Sequence, residues 1–548
     1  MNKINNLLII LLFALFLLPI NGQDNFLNNT SINEFLERQE VRGLIKINHH
    51  QKPYTRKQVS LALKRLALQK DQLSGVDREE LNYFLSEYNI SPSHPNSPSQ
   101  NPPNHTFLEQ NESGAFRFYE YKDSLFNFTL YPDIGVSYTL RNDSKNNLFF
   151  YNGLSGYGNI GNNLSFDFKF NDYSIKTTNY PVDRTFSRRR GFDYITYFGT
   201  RDEYNYDRTR ASLTYSWDWG FVSLRKDYNY WGTGFNGNII LSDKAPSFPF
   251  VQLKLFPFED VEFNYIHGVL NSMVDDSSTF RVSNGTRNHI ELVQKYYVAH
   301  IISVNMFDNL RLSIGESIVY SDRFQPIYLV PFLFFRMADH YLEKISENTG
   351  NAQIFSSISW RIPSLNSRID ASIFIDELSF GGGTEDYPAA VAYSVGFSSY
   401  DFLFDNLGFQ IEYSRINPAV YTHSDPAQVY SNRNYLMGHW IGGNGDQVYM
   451  SLSYKPIPLL YIKTSYEYTR RGAFDDITES RYQADHVFLY GDKSYYAVFS
   501  FYMGYELLNN LFIETEVVIS NSWGENNVIN VSDYKYQEAT LGFRYGLD

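Results

Sequence analysis

The chain has 548 residues, a formal net charge of −13 and no cysteine. Its length excludes a single small domain, the lack of cysteine excludes disulfides and thiolate metal sites, and the acidic balance argues against a nucleic-acid partner. Aromatic residues make up 17% of the chain, yet the mean hydropathy is −0.37. This combination is unusual for a soluble core and typical of a membrane β-barrel, whose strands have one polar face and whose rims carry aromatic girdles.

The N-terminal segment predicts export. Residues 1–22 contain a lysine, then an apolar run, then a proline and a small residue before the expected cleavage, which is the pattern of a signal peptide. The apolar run is shorter than the roughly 20 residues of a membrane-spanning helix, and no later run in the sequence is long enough. A short membrane anchor is the alternative interpretation.

Residues 23–90 are predicted to form a small helical unit. Three pairs of residues have the spacing of a capping box: Ser31 with Glu34, Thr55 with Gln58, and Asp77 with Glu80. Apolar residues at helical spacing follow each pair, so we expect three short amphipathic helices that pack on one another. The adjacent His49 and His50 are interpreted as a surface pair beside a turn.

Residues 91–114 are predicted to be a linker. The stretch SPSHPNSPSQNPPN, residues 91–104, contains five prolines and no apolar residue. Such a composition favours a stiff, extended spacer between domains. We therefore expect the helical unit and the rest of the chain to be separate parts.

Alternating segments recur over residues 115–548. In ASLTYSWDWG, residues 211–220, apolar and polar side chains alternate as in a strand with one apolar and one polar face. Short turns rich in Asp and Asn, at 306–310, 403–407 and 507–511, alternate with long loops. Because outer-membrane barrels have short periplasmic turns and long extracellular loops, the pattern predicts an all-β transmembrane barrel of about 18 antiparallel strands. The apolar face of the quoted strand is expected to touch lipid.

Some polar residues do not fit a simple barrel pattern. His300 and Glu316 fall on the lipid-facing parity, where polar groups are costly. Either a bulge turns these side chains inward or they lie at the membrane interface. Charged residues on the opposite parity, such as Arg225 and Glu467, are expected to form a network inside the lumen.

The segment YNYWGTGFNGNIILSDKAPSFPFVQLKL, residues 228–255, resembles the Trp-Gly-x-Gly, Leu-Ser and Ala-Pro-x-Phe-Pro pattern of the Wzi-type capsule assembly proteins of the outer membrane. Similar segments are KYYVAH at 295–300, GESIVYS at 315–321, YLVP at 328–331, FIDEL at 374–378 and FLERQEVRGLI at 35–45. The resemblance implies an eighteen-stranded barrel with an N-terminal helical bundle that anchors capsular polysaccharide in a lectin-like manner. The proline-rich linker departs from the family's pattern.

The long loops carry the candidate ligand-binding residues. A polysaccharide binder needs aromatic faces for stacking on sugars and arginines for acidic groups. The candidates are Tyr230, Trp231, Trp440 and Trp523, together with the basic run Arg188, Arg189 and Arg190. The tryptophans are alternatively part of an aromatic belt or of loop packing, and the arginines of a solvated or lipopolysaccharide-facing loop.

The predicted function is surface attachment or assembly of capsular or extracellular polysaccharide in the outer membrane of a Gram-negative-type bacterium. We expect a monomer surrounded by outer-membrane lipid, with no cofactor, no metal and no nucleic-acid partner. No Ser/His/Asp spacing exceeds chance, so an enzyme is not predicted. A porin or substrate-specific channel is the main alternative, and a barrel hydrolase of envelope lipids or glycans is another. The sequence does not identify the polysaccharide.

Overall fold

The computed structural model describes residues 25–27, 30–88, 104–111, 114–123, 125–177, 186–193, 196–197, 202–283, 287–346, 350–377, 390–473, 487–524 and 535–546. The predicted signal peptide and most of the predicted linker lie outside the described residues, so both stay predictions. Among the described residues, no helix has both the length and the apolar character needed to cross a membrane.

Eighteen antiparallel strands form a closed barrel, which confirms the predicted fold class and strand number. The barrel strands are β1 Phe126–Arg141, β2 Asn147–Ile160, β3 Leu164–Thr177, β4 Glu203–Trp217, β5 Gly220–Asp227, β6 Phe248–Phe258, β7 Val261–Ser283, β8 Arg287–Met306, β9 Leu310–Ser321, β10 Asn351–Ile362, β11 Ser367–Glu377, β12 Ala390–Tyr400, β13 Leu407–Ile416, β14 Gly445–Ile457, β15 Leu460–Arg471, β16 Ser494–Leu508, β17 Leu511–Gly524 and β18 Tyr536–Tyr545. The barrel closes where β18 pairs with β1, with Leu541 opposite Tyr138.

Short strands accompany the barrel. A hairpin of Asn104–Gln110 and Phe116–Lys122 pairs with the start of β1, so the last part of the predicted linker is a strand. The remaining pairs join Phe26–Leu27 to Tyr54–Thr55, Gln51–Lys52 to Tyr230–Trp231, Ser431–Asn432 to Tyr435–Leu436, and Thr196–Tyr197 to β4.

Alternation along the strands separates an apolar outer face from a polar lumen. In β4, Leu213 is 50% exposed on the outside, whereas Ser212 and Thr214 are buried toward the lumen. Ala211 and Trp219 are exposed on the outside as well. The face of residues 211–219 therefore points outward, the side on which a membrane barrel meets lipid.

The expected network of inward charges is also present. The Arg225 guanidinium donates to Asp227 Oδ2 at 2.5 Å and to Gln252 Oε1 at 2.8 Å. The Glu467 carboxylate accepts a hydrogen bond from the Asn236 side chain. These contacts join side chains of the lumen wall to one another and to a loop inside the barrel.

The N-terminal unit contains the three predicted helices, α1 Thr30–Val41, α2 Arg56–Ala67 and α3 Gly75–Tyr88. Thr55 forms the predicted capping box with Gln58: its hydroxyl accepts from the Gln58 N–H, and the Gln58 side chain accepts from the Thr55 N–H. The predicted Asp77 cap is wrong, because α3 is instead capped by Ser74, whose hydroxyl accepts from the Asp77 N–H at 3.0 Å. The helices share one apolar core.

The helical unit lies across the short-turn end of the barrel. Polar contacts join it to several of the turns at that end. They are Arg42 to Asp401 at 3.1 Å, Lys46 to Asp308 at 3.1 Å, Ser74 to Asn406 at 3.2 Å and Tyr83 to Asn510 at 2.9 Å. The unit is therefore docked on the barrel rather than held apart from it.

Residues 42–55 extend from the helical unit into the lumen. His50 Nδ1 lies 2.7 Å from Ser313 Oγ, and the Gln51 side chain donates to Ser303 Oγ at 2.8 Å. Further inside, Gln51 pairs with Trp231 as a short strand. These residues thus occupy one side of the lumen from its short-turn end to the middle.

One segment covers the outer wall instead of the lumen. Residues 322–346, with the 3-10 turn Pro326–Leu329 and helix α4 Phe335–Ser346, pack on the outward face of β7–β9. Beneath this segment, His300 Nε2 lies 3.4 Å from Glu316 Oε1, and the Phe335 N–H donates to the same carboxylate at 2.7 Å. A bulge does not turn these two polar residues inward, because the register is regular there, and the chain itself covers them on the outer face. Other 3-10 turns are Lys70–Gln72, Pro363–Leu365 and Pro426–Gln428.

The docking of the helical unit depends on the buried carboxylate of Glu40. Its oxygens lie 2.7 Å from Arg368, 3.7 Å from Arg361 and 3.8 Å from Arg311, all on the lumen wall. Removing one partner of a buried ion pair leaves an uncompensated charge and costs about 3–5 kcal/mol. We expect Glu40→Gln to undock the helical unit while the barrel stays closed.

The measurement is the rate of trypsin cleavage within residues 30–88 of the detergent-solubilised protein, with barrel closure followed by heat modifiability on gels. Asp71→Asn is the matched control, because Asp71 is exposed on the 3-10 turn of the same unit. Equal cleavage rates for the two variants would show that Glu40 does not hold the unit in place.

Candidate functional site

Two long loops fold back into the barrel and form an apolar core across the lumen. Residues 228–248 supply Trp231 and the run Ile239–Leu241, and residues 417–445 supply Tyr421, Tyr430, Met437, Trp440 and Ile441. The Tyr421 and Tyr430 hydroxyls donate to the carbonyl oxygens of Ile239 and Ile240, at 2.6 and 2.8 Å. The loops are therefore locked to each other as well as to the wall.

A cavity of about 830 Å³ lies between this apolar core and the short-turn end. The helical unit forms one side, the loop of residues 228–243 forms the inner end, and the wall from the end of β12 to β18 forms the other side. Pockets of about 300–1,000 Å³ are typical of small-ligand sites in proteins. This cavity is the candidate functional site.

Two of the predicted stacking residues are part of the apolar core. Trp231 is 1% exposed, pairs with Gln51 and packs on Phe355, with a centroid distance of 6.3 Å. Trp440 is 7% exposed, and its Nε1–H donates to the Asn236 carbonyl at 2.7 Å. Neither ring offers a free face, so both correspond to the loop-packing interpretation.

Trp523 occupies a different place, near the end of β17 on the outer wall. It is 43% exposed and stacks on Tyr495 with an interplanar angle of 9° and a centroid distance of 5.7 Å. Tyr468 packs against it at 6.2 Å. An outward aromatic cluster at a barrel rim has the position of the aromatic girdle.

Tyr230 is the predicted aromatic residue that does line the cavity. Its hydroxyl donates to the backbone carbonyl of Gly234, which fixes the turn of the loop. Lys52 of the helical unit lies over the ring, with Nζ 5.9 Å from the centroid. The ring thus stands where the loop and the helical unit meet.

The three consecutive arginines point to three different places. Arg190 forms an ion pair with Asp243 at 2.7 Å and lies over the Tyr228 ring. Arg189 is 51% exposed, with its guanidinium 3.6 Å from Glu538. Arg188 lines the cavity. The run is therefore not one basic patch.

The charge on Arg188 faces the cavity directly. The side chain is exposed to the cavity; partial desolvation in the lumen opposes its charge, yet the surrounding oxygens of Tyr449, Asp243 and Tyr230 raise the pKa of Arg188 overall. Within the part of the chain that the structure describes, no hydrogen bond or ion pair of its side chain is found. Arg188 is thus a cation that a ligand in the cavity can reach.

His49 and His50 are buried in the lumen, which corrects their interpretation as a surface pair. Together with Asp370 they offer three ligand-type atoms within 4.8 Å of one another. Burial, and for His49 the charges of Arg368 and Arg311, hold both imidazole pKa values well below the usual range. Arginines crowded around the group disfavour a cation, so these side chains act as docking contacts.

The same group does not have the order of a catalytic triad. Ser359 Oγ donates to Asp370 and contacts His50 Nε2 at 2.6 Å, so the serine lies between the acid and the imidazole. A triad needs the imidazole between the other two groups. Asp370 is also held by Arg368, with Nε 2.8 Å from Oδ2.

The sequence reasoning missed Lys463, Tyr461 and Tyr502, which line the cavity from β15 and β16. Their inward parity was visible in the alternation of these strands. The alternation could not show that these residues lie near the helical unit, because that proximity arises from docking. The Tyr461 hydroxyl, for example, donates to Glu34 Oε1 at 3.0 Å.

A closed eighteen-stranded barrel with an apolar outer face defines an outer-membrane barrel protein, and among the described residues two loops and the helical unit occupy part of its lumen. The family model of the capsule assembly protein Wzi matches residues 151–516, and the chain belongs to this family. No curated protein sequence matches the chain.

The chain shares its fold with a solved structure and is more distantly similar to others. Wzi of Escherichia coli, described as an outer-membrane protein involved in group 1 capsule assembly and as a carbohydrate-binding β-barrel, is 11% identical with a TM-score of 0.58, over 95% of this chain and 99% of that chain. OccAB2 of Acinetobacter baumannii is 10% identical with a TM-score of 0.43, over 76% and 97%. OprD of Pseudomonas aeruginosa is 11% identical with a TM-score of 0.41, over 76% and 94%.

The different places of Trp231 and Trp523 predict different effects of their removal. Trp231→Ala leaves a cavity in the apolar core, and such truncations cost about 3–5 kcal/mol. We expect this variant to lower the temperature at which the folded gel band converts to the unfolded band. Trp523→Ala, at a half-exposed site, serves as the control and is expected to shift that temperature far less. An equal shift for both variants would contradict the burial of Trp231.

Proposed function

We propose that this protein holds capsular or extracellular polysaccharide at the cell surface as a non-enzymatic, lectin-like barrel. In this proposal the short turns and the helical unit face the periplasm, the long loops face outward, and the protein acts as a monomer in outer-membrane lipid. Membership of the Wzi family supports the proposal, as does the fold shared with a carbohydrate-binding barrel. No metal or cofactor takes part.

The observation that carries the proposal is the occluded lumen. Among the described residues, the apolar core of the two inward loops crosses the barrel, and the helical unit lies across the short-turn end. The pairing of Gln51–Lys52 with Tyr230–Trp231 joins these two fillings. An eighteen-stranded barrel without such contents has a water-filled channel, so the contents support a holding function over transport.

The first test is conductance. Purified full-length protein in a planar bilayer is expected to be nearly silent, because the apolar core formed by the described residues crosses the lumen. Trp231→Ala, which loosens that core, is the informative variant and is expected to show occasional openings. Steady porin-like conductance of the unmodified protein would favour the channel alternative instead.

The second test measures polysaccharide retention. Cells that lack the protein are expected to release polysaccharide into the medium, and the unmodified chain is expected to restore it to the cell-bound fraction. Replacement of Arg188, Arg189 and Arg190 by alanine should reduce retention, since contacts with a charged group are each worth about 1.5–3 kcal/mol. The loss should increase at high salt, where the remaining exposed charges are screened.

Arg323→Ala provides the control for that experiment, because its side chain is 85% exposed on the segment that covers the outer wall. Normal retention in cells that lack the protein would overturn the proposed function. Normal retention with the triple arginine variant alone would overturn only the role of the arginines.

A further inference from the structure

We propose that the cavity below the apolar core binds an acidic sugar residue, and that this ligand enters from the periplasmic side. The inference rests on the proposed function only for the chemical class of the ligand, a saccharide, and it concerns a chain end or fragment in the periplasm rather than the polymer held outside. It adds the place of binding, the charge of the sugar and the side of the membrane from which the site is reached.

The position of the cavity determines its access. At one end it is lined by short-turn residues, Pro458 and Leu459 after β14 and Asn509 and Asn510 after β16, together with Glu79 of the helical unit, and we place its mouth there. These residues belong to the end of the barrel that the helical unit covers, which is the periplasmic end in the proposed orientation. The mouth is therefore a gap beside the helical unit.

The opposite end of the cavity is blind. Arg188, Tyr230 and Asp243 form it, and the apolar core with Trp231 and Trp440 lies beyond them. A ligand outside the cell would have to displace that core, whereas a ligand in the periplasm would not. Because the cavity is blind, it accommodates the end of a sugar chain or a short fragment rather than a continuous polymer.

Most carboxylates that line the cavity already have cationic partners. The pairs are Glu37 with Arg368 at 2.8 Å, Asp243 with Arg190 at 2.7 Å, Glu514 with Arg544 at 2.9 Å, and Glu80 with Arg38 at 2.5 Å and with Lys455. Glu34 and Glu506 accept hydrogen bonds from the Tyr461 hydroxyl and the Asn510 N–H. The remaining carboxylate, Glu79, lies exposed at the mouth.

Two cations of the lining lack such partners. Arg188 at the inner end and Lys463 on the β15 wall have no hydrogen bond or ion pair with any residue that the structure describes, and both line the cavity. Glu34, Glu506 and Glu79 also lack a cationic partner, but the first two already accept hydrogen bonds and Glu79 lies at the short-turn end. Arg188 and Lys463 are thus the inner cations that a ligand carboxylate can pair with, and a neutral sugar cannot pair with them.

The rest of the lining has the chemistry of a carbohydrate site. Tyr230, Tyr400, Tyr461 and Tyr502 place aromatic rings around the cavity, and Gln410 and Ser453 add polar groups. Aromatic rings with an apolar body and a polar tip suit the mixed C–H and hydroxyl surface of a sugar. Charge and rings together point to an acidic sugar rather than to a simple inorganic anion.

The binding test uses the full-length protein in detergent and titration calorimetry. The probes are short oligomers of galacturonate, glucuronate and sialic acid, with maltotriose as the neutral comparison. At least one acidic oligomer is expected to bind, whereas maltotriose is not expected to bind. Arg188→Ala and Lys463→Ala should each weaken binding of the acidic oligomer about tenfold or more.

Arg281→Ala is the matched control, since it also removes an arginine, but one that is exposed, pairs with Glu291 and does not line the cavity. This variant is expected to bind like the unmodified protein. Absence of binding by all three acidic probes, or equal effects of the Arg188 and Arg281 variants, would overturn the proposed site.

The sidedness test exploits the absence of cysteine in the chain. Ser453→Cys places a thiol in the cavity, and Ser144→Cys places one in the exposed turn between β1 and β2, at the long-loop end. A membrane-impermeant maleimide is expected to label the Ser144 variant on intact cells and the Ser453 variant only after the outer membrane is permeabilised. After permeabilisation, a bound acidic oligomer should slow labelling of the Ser453→Cys variant. Labelling of the Ser453→Cys variant on intact cells would overturn periplasmic access.

The outcomes separate this inference from the proposed function. If retention requires the protein but Arg188→Ala binds acidic sugars as well as the unmodified protein, the cavity proposal is contradicted and the proposed function stands. If cells retain polysaccharide without the protein, both proposals are contradicted.

Discussion

A barrel of eighteen strands encloses more space than its own inward side chains fill, and the rest of this structure follows from how that space is occupied. The inner wall is polar and rich in serine, with Ser313, Ser357 and Ser372 buried in it. Buried polar groups need hydrogen-bond partners, because an unpaired one costs about 1–3 kcal/mol. The chain supplies partners for some of them from its own contents: His50, which follows helix α1, contacts Ser313, and Thr233 of a long loop contacts Ser372.

The two fillings differ in chemistry, and this difference creates the candidate site. The loops contribute an apolar core, whereas the helical unit is held mainly by ion pairs such as Glu40 with Arg368. Buried ion pairs define a position more than they add net stability. Between the apolar core and the ion pairs remains a space that neither fills, and its lining keeps unpaired charges that a close-packed interior would not tolerate.

The sequence predicted those features that depend on local periodicity. Strand alternation predicted the eighteen strands and the outward face of residues 211–219, and helical spacing with the Thr55 capping box predicted the N-terminal helices. Local periodicity could not decide whether the long loops are buried, because a tryptophan among glycines occurs both in exposed loops and in packed ones. The run Ile239–Leu241 was the available signal, since three consecutive apolar residues rarely stay in solvent.

Long-range contacts account for the other differences. The lipid parity of His300 and Glu316 was correct, but the helix that covers them begins only at Phe335, and no local pattern connects it to either residue. The arginines at 188–190 diverge because neighbouring side chains of an irregular loop have no common face. Their separate partners, Asp243 and Glu538, come from distant parts of the sequence.

The pairing of Gln51–Lys52 with Tyr230–Trp231 also has a meaning for biogenesis. The helical unit precedes every barrel strand in the chain and approaches the lumen through the short-turn end, whereas the loop of residues 228–248 approaches from the long-loop end. The two segments meet only when both have travelled inward, and the wall around them is complete only when β18 has joined β1. The pairing of these four residues is therefore expected to form late in assembly, after both segments have entered the barrel.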